Sequence, residues 1–166
     1  MSLATARASF IADLLNLWET DYSEDHLATC DLIETYWKNA RVTGFEATVA
    51  PQFATGITYG SMSVLSIPGG TAASAAAAIE SALTTMCAAS IFTVIPPATV
   101  TPPPLPIPGG PATPGLLTPL LSGFFTAGVV GGSTAVSIAN AIGNFLSGWQ
   151  VNAVIPPAAS APVPIL

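Results

Sequence analysis

This sequence has very little positive charge and, after Glu80, no charge of either sign. Its only basic side chains are Arg7, Lys38 and Arg41, against nine acidic ones, and the net charge is −6. Charged residues make up 7% of the chain, compared with roughly 25% in an ordinary soluble domain. Phosphate binding requires clustered lysine and arginine, so the composition argues against nucleic acid as a partner.

The absence of charge from Ser81 to Leu166 has a second consequence. A freestanding domain depends on surface charge for solubility and to limit self-association. We therefore expect most of the surface of this segment to be covered rather than to face bulk water. The cover would be either a bilayer or other protein.

Catalytic side chains are also scarce, since His26 is the only histidine. A Ser-His-Asp site would need it as the base, but it stands among acidic residues at a predicted helix start, and no GxSxG nucleophile turn is present. We interpret His26 as a capping or surface residue. The glycine pairs at 69–70, 109–110 and 131–132 lack the lysine of a phosphate loop and indicate turns. The sequence offers no catalytic or cofactor-binding residue, so we expect no enzyme and no small-molecule substrate.

The acidic residues offer little more. One set, close in sequence but without the spacing of metal ligands, comprises Asp21, Glu24, Asp25 and His26, and we interpret it as a solvated loop without a metal. Asp31 and Glu34 share a helix face, and Lys38 follows Glu34 at i+4, which predicts a surface ion pair. Glu80 stands alone among alanines, and we place it at an exposed edge of its helix.

The two cysteines, Cys30 and Cys87, fit no CxxC spacing. Each falls on the apolar side of a predicted helix, which indicates buried free thiols, although a disulfide between them stays open. The stretch from Met1 to Asp13 contains Arg7 but no continuous apolar run, so no secretory signal is predicted.

The first third of the chain predicts a helical hairpin. Apolar residues recur at spacings of three and four from Thr5 to Thr20, and a second helix follows a polar break and continues to about Asn39. The residues from Arg41 to Val49 form an extended exit that closes at Pro51.

The rest of the chain alternates between extended and helical patterns. The stretch from Gly56 to Ile67 partly alternates and predicts a strand or hairpin arm. An Ala-rich helix is expected from Thr71 to about Ser90, and residues 96–114 are proline-rich, which indicates a semi-rigid polyproline II or irregular arm. A short apolar helix from Leu116 to Ala127 and another from about Ser133 to Phe145 precede an extended tail.

These patterns predict a mainly α fold with extended or β arms, in which two helix-pair units are joined by strand-like and proline-rich segments. Five segments follow: an acidic helical hairpin with an extended exit (1–50), a strand arm plus the Ala-rich helix (51–95), a proline-rich linker (96–114), the second helix-pair unit (115–157) and an extended tail (158–166). The two helix pairs could pack together or dock on different neighbours.

A loose internal repeat links the two helix-pair units. The element DLIETYWKNARVTGFEATV, from Asp31 to Val49, has a weaker copy from Ile138 to Ile155. A helix with an aromatic-rich end and a valine-rich exit of this kind resembles small minor virion proteins of tailed bacteriophages. The resemblance implies a particle-bound subunit at the neck, the tail or the capsid surface, and it carries over no catalytic residue.

We therefore expect a non-enzymatic structural subunit of a tailed-phage-like particle, which bridges neighbouring subunits. Its partners would be copies of itself and other virion proteins, and its location would be the virion, assembled in the host cytoplasm. The alternative is a membrane-active or membrane-anchored protein that inserts residues 116–139 as a hairpin. Pro119, several glycines and the lack of flanking lysine or arginine weigh against insertion.

Overall fold

The chain forms six helices and five short strands in the residues that the computed structural model describes, which are 2–20, 25–42, 49–63, 70–94, 107–111, 115–126, 132–153 and 161–165. This mainly α architecture with antiparallel strands confirms the predicted fold class. The helices are α1 (Leu3–Thr20), α2 (Asp25–Trp37), α3 (Tyr59–Met62), α4 (Ala72–Ala88), α5 (Leu117–Thr126) and α6 (Gly132–Ser147). The strands are β1 (Val49–Gln52), β2 (Ile91–Val94), β3 (Ile107–Pro111), β4 (Trp149–Ala153) and β5 (Ala161–Pro164).

The helix contacts form a closed cycle. Each helix contacts the next one along the chain, and α6 returns to contact α1. The second helix of each consecutive pair is followed at once by an extended segment: the bridge residue Val42 after α2, β2 after α4 and β4 after α6. The chain is thus a succession of three helix pairs with extended exits. The sequence repeat between Asp31–Val49 and Ile138–Ile155 links the second helices of the first and third pairs.

One apolar core joins the ends of this cycle. Its largest fully buried side chains come from every helix and from two of the strands: Trp37, Trp149, Phe92, Leu3, Leu14, Ile33, Met62, Leu83, Met86, Leu121, Ile138 and Ile142. Burying a side chain of this size contributes about 1.5–3 kcal/mol. The two helix pairs recognised in the sequence therefore pack together, which is the first of the two alternatives left open above.

The start of helix α4 is set by a capping box in its local sequence. Thr71 is the N-cap, its hydroxyl accepts from the Ser74 amide at 3.1 Å, and the Ser74 hydroxyl accepts from the Thr71 amide at 2.9 Å. Such a reciprocal capping box satisfies two amides that would otherwise lack partners. The cap is followed by a run of alanines, and alanine has the highest helix propensity of all residues. The predicted helix from Thr71 to about Ser90 is confirmed, since α4 ends at Ala88.

The prediction of a strand or hairpin arm from Gly56 to Ile67 is wrong over residues 56–63, which the structure describes. Residues 55–58 form a turn, Tyr59–Met62 is the short helix α3, and residues 64–69 lie outside the described residues. The turn passes through Gly56, whose φ of +78° is incompatible with an extended strand. Met62 is 1% exposed and joins the core, so long-range packing outweighs the partial alternation of the local sequence.

Part of the proline-rich linker is also not a free arm. Residues 107–111 form β3, which pairs antiparallel with β4, while β4 pairs on its other side with β5 of the tail. The remainder of the linker, 96–106 and 112–114, lies outside the described residues. Residues 107–111 thus form a strand because they pair with β4, which lies far along the chain, although their composition alone indicates an irregular arm.

The four prolines of this sheet lie in the two edge strands, and the central strand β4 contains none. The amide of Ile165 donates to the Trp149 carbonyl at 3.2 Å. Antiparallel pairing alternates, so Trp149 and Val151 bond toward β5, and Gln150 and Asn152 bond toward β3. In β3, Pro108 is opposite Val151 and Pro111 is opposite Trp149, the two residues that bond toward β5. In β5, Pro162 is opposite Asn152 and Pro164 is opposite Gln150, the two residues that bond toward β3. All four ring nitrogens therefore point away from β4, where no donor is needed.

Candidate functional site

The buried carboxylate of Glu34 fastens α2 to the start of α3. The residue is 2% exposed, and its two oxygens accept from the amide of Gly56 at 2.9 Å, the amide of Thr58 at 3.1 Å and the hydroxyl of Thr58 at 2.8 Å. Hydrogen bonds to a charged acceptor are stronger than neutral ones. The predicted Glu34–Lys38 surface pair is wrong, because Lys38 instead extends over the ring of Phe53, 5.7 Å from its centroid.

Glu80 makes the same arrangement between α4 and α5. Its carboxylate accepts from the amide of Gly115 at 2.9 Å, the amide of Thr118 at 2.7 Å and the hydroxyl of Thr118. Gly115, like Gly56, has a positive φ, here +74°. Glu80 is half-buried, so the interpretation of this residue as a free exposed edge needs correction: it is the fastening point between two helices.

The third helix pair has a polar acceptor at the equivalent place. In α6 the polar residue Asn140 follows the buried Ala139, just as Glu34 follows the buried Ile33 and Glu80 follows the buried Ile79. Arg7 of α1 donates through Nη2 to the Asn140 carbonyl and side-chain oxygens, both at 3.0 Å, and to Asn144 Oδ1 at 2.7 Å. Each second helix thus binds the first helix of the next pair, and Arg7 closes the cycle.

A sequence signal for these contacts exists in the segments that precede Thr58 and Thr118. The stretch Ala54-Thr55-Gly56-x-Thr58 recurs as Ala112-Thr113-Pro114-Gly115-x-x-Thr118. Each copy follows an Ile-Glu pair in the preceding helix. Neither the glutamate nor the Gly-Thr element is diagnostic alone, because the distance between them in sequence differs in the two cases. In both cases two amides and one hydroxyl of the same chain donate hydrogen bonds to the carboxylate. This arrangement is typical of a contact that holds two helices together rather than of a catalytic acid or base.

The residues weighed above as catalytic or metal-ligating are only partly described. His26 is half-buried in the first turn of α2. Asp21 and Glu24 lie outside the described residues, as does the side chain of Asp25. In the described part of the chain, no group of three or more His, Cys, Asp or Glu side chains is placed to hold a metal ion.

Two further ionisable groups lie beside Glu34. The hydroxyl of Tyr59 donates to Asp31, and this hydrogen bond is the main reason why the pKa of Tyr59 is raised to about 12.

Burial raises the pKa of the Cys30 thiol, and burial also raises that of Cys87 well above its ordinary value. Both cysteines are free and buried, as predicted from their positions. A thiol is nucleophilic only as the thiolate, so neither is set up to react.

A groove runs along the seam between α1 and α2. One cavity of about 310 Å³ adjoins a second of about 420 Å³, and the two share Asp13, Leu32 and Thr35. Phe10 and Tyr36 line the first cavity and stack with ring centroids 4.3 Å apart, and the Tyr36 hydroxyl donates to the Leu3 carbonyl at 3.1 Å. Asp31 lines the second cavity. The groove therefore has an aromatic and aliphatic floor and an acidic rim.

A second, smaller groove has no charged lining. It lies between α5 and α6, has a volume of about 130 Å³ and is lined by Leu116, Leu117, Leu120, Ala141, Asn144 and Phe145. Leu116 and Leu120 are 60% and 48% exposed beside it, and Ile91 at the start of β2 is 67% exposed. Large apolar side chains that face outward as a group mark interaction surfaces in soluble proteins.

The comparisons with known proteins add no relative. No protein-family model matches the chain, and neither the search of curated proteins nor that of solved structures found a match. Among the described residues, no helix has both the length and the hydropathy of a membrane span.

Proposed function

We propose that this chain is a non-enzymatic structural subunit of a tailed-phage-like particle, where it bridges neighbouring subunits at the neck, the tail or the capsid surface. The observation that carries the proposal is the uncharged segment after Glu80 together with its outward-facing apolar residues Ile91, Leu116 and Leu120. Surfaces of this kind are stable when a partner covers them and promote association when they are left in water.

The architecture suits such a role. Three helix pairs close into a cycle around one core, and the fastenings at Glu34, Glu80 and Asn140 tie each pair to the next. A body of this kind can hold a binding surface in a fixed geometry. The carboxylates whose contacts are described accept from neutral donors of the same chain, which favours a scaffold over a reacting centre.

The direct test is to purify particles from a host that produces this chain and to search them for it. We expect the chain to co-sediment with intact particles through a density gradient and to resist removal by a salt wash, since the proposed contacts are apolar. A chain that stays wholly in the soluble fraction while particles assemble normally would contradict the proposal.

A second test uses the isolated chain. Concentration-dependent self-association, measured by analytical ultracentrifugation, should weaken in Leu116→Ser and Leu120→Ser. Leu27→Ser is the matched control, because Leu27 is 43% exposed but lies in the acidic helix α2. Equal behaviour of all three variants would argue against the uncharged surface as the contact. Co-flotation of the chain with liposomes would instead support the membrane alternative.

A further inference from the structure

The groove between α1 and α2 differs in chemistry from the uncharged surface of the proposed subunit contacts. We infer that this groove binds a lysine- or arginine-bearing segment of a different protein. Asp13 lies where the two cavities of the groove meet, and Asp31 lies toward one end. Both side chains are exposed, so a cation could reach either one from solvent.

The lining of the groove fits the two parts of a long basic side chain. Leu32 and the stacked rings of Phe10 and Tyr36 provide an apolar floor, on which the methylene stem of lysine or arginine can pack. Asp13 and Thr35 line both cavities, and the Asp13 carboxylate can receive the charged end. An exposed ion pair alone contributes little, so the apolar contact of the stem adds to the contact between the charged end and Asp13.

The carboxylates of the groove have neutral partners within the chain. Asp13 accepts from the Ser9 hydroxyl at 3.1 Å, and Asp31 accepts from the hydroxyl of Tyr59. Neither contact neutralises the charge, and a carboxylate has further acceptor sites for an incoming donor. The negative potential of the groove is therefore open to a cationic partner.

A second copy of this chain is a poor source of that cation. Arg7 is used in closing the helix cycle, and Arg41 is half-buried with its guanidinium bonded to the carbonyls of Lys38 and Ala40 at 3.1 and 2.8 Å. Lys38 lies over Phe53. Each copy would also bring nine acidic side chains against three basic ones, so that charge disfavours a second copy at this acidic groove, whatever its apolar surface binds. Charge complementarity therefore indicates a basic segment from another protein.

This inference names one partner of the subunit proposed above, but it can fail independently. If the chain is found in particles and the groove variants assemble normally, the groove assignment is wrong and the proposed function stands. If the groove binds basic peptides and the chain is absent from particles, the proposed function fails alone.

The test uses fluorescence anisotropy of a short labelled peptide of alternating lysine and leucine, with the glutamate–leucine version as the charge-reversed probe. We expect the lysine peptide to bind, the glutamate peptide not to bind, and Asp13→Asn to weaken binding by roughly tenfold. Thr35→Trp, which fills the groove at an exposed position without changing the charge, should weaken it at least as much.

Thr85→Lys is the matched control, because Thr85 is exposed on α4 and the substitution changes the net charge by the same amount as Asp13→Asn. We expect it to weaken binding by less than about threefold. Circular dichroism establishes that each variant is folded. The inference is overturned if Asp13→Asn and Thr85→Lys weaken binding equally, since the effect is then net charge alone, or if Thr35→Trp leaves binding unchanged.

Discussion

Glu34 and Glu80 make the same three hydrogen bonds at different degrees of burial. Glu34 is 2% exposed, whereas Glu80 is half-buried. A buried carboxylate is tolerated only where donors replace the water that it has lost. The two amides and the hydroxyl on Glu34 provide that replacement, but they would in turn lose their acceptor if the glutamate were removed.

We therefore expect Glu34→Ala to destabilise the protein by about 2–4 kcal/mol, because the buried donors of Thr58 and the part-buried amide of Gly56 are left unsatisfied. Glu80→Ala should cost about 1 kcal/mol, since water can reach its donors in part. Urea unfolding followed by circular dichroism measures both. Equal losses would mean that burial does not govern the strength of this contact.

The hydrogen bond from Tyr59 to Asp31 gives a pH-dependent expectation. Because the pKa of Tyr59 is raised to about 12, from about 10 in an unfolded chain, the fold favours the protonated phenol. This contribution to stability is fully present below pH 10 and is lost as the pH rises through about 12.

In a spectrophotometric titration at alkaline pH, Asp31→Ala should lower the pKa of Tyr59 toward its ordinary value. Asp13→Ala, which removes an exposed carboxylate bonded to Ser9 instead, should leave it raised. Tyr59→Phe identifies which part of the titration belongs to Tyr59. An unchanged titration in Asp31→Ala would show that this carboxylate does not hold the phenol proton.

Helices that depend on their own local sequence could be predicted, whereas the elements that depend on contacts with distant parts of the chain could not. Helix α4 follows from an alanine run with its Thr71–Ser74 cap. The short helix α3 depends on Glu34, which lies in another helix, and β3 depends on pairing with β4 near the other end of the chain. The sequence placed Glu80 at an exposed edge because its hydrogen-bond donors, Gly115 and Thr118, lie far along the chain, on the other side of the proline-rich segment.

The sheet of β3, β4 and β5 allows a sharp test at the level of an element. Val163 pairs with Val151, whose backbone groups point toward β5, so Val163→Pro would remove a ladder hydrogen bond. We expect a loss of about 1–3 kcal/mol, because the Val151 carbonyl loses its donor. Pro162→Ala in the same strand should change stability by less than about 1 kcal/mol, because position 162 needs no donor toward β4. Thermal unfolding of both variants checks the register, and the reverse order of effects would place β5 one residue out of step.

At the scale of the whole molecule, Arg7 packs over α6 at the place where the helix cycle closes. A Cβ added at Gly143 would lie 3.3 Å from Cζ of Arg7, while one added at Gly123 in α5 would meet nothing within 4 Å. Both glycines are inside helices, where alanine is favoured by about 0.5–1 kcal/mol. The pair therefore separates the gain in helix propensity from the cost of disturbing the closing contact.

We expect Gly123→Ala to stabilise the protein by about 0.5–1 kcal/mol, and Gly143→Ala to be neutral or destabilising because it displaces the guanidinium from Asn140 and Asn144. In an Arg7→Ala background the penalty at 143 should vanish, so that both alanines stabilise alike. Urea unfolding of the four-variant cycle for each glycine gives the coupling with Arg7 directly. A coupling of zero at Gly143 would mean that the added methyl group does not disturb the contacts that Arg7 makes with α6.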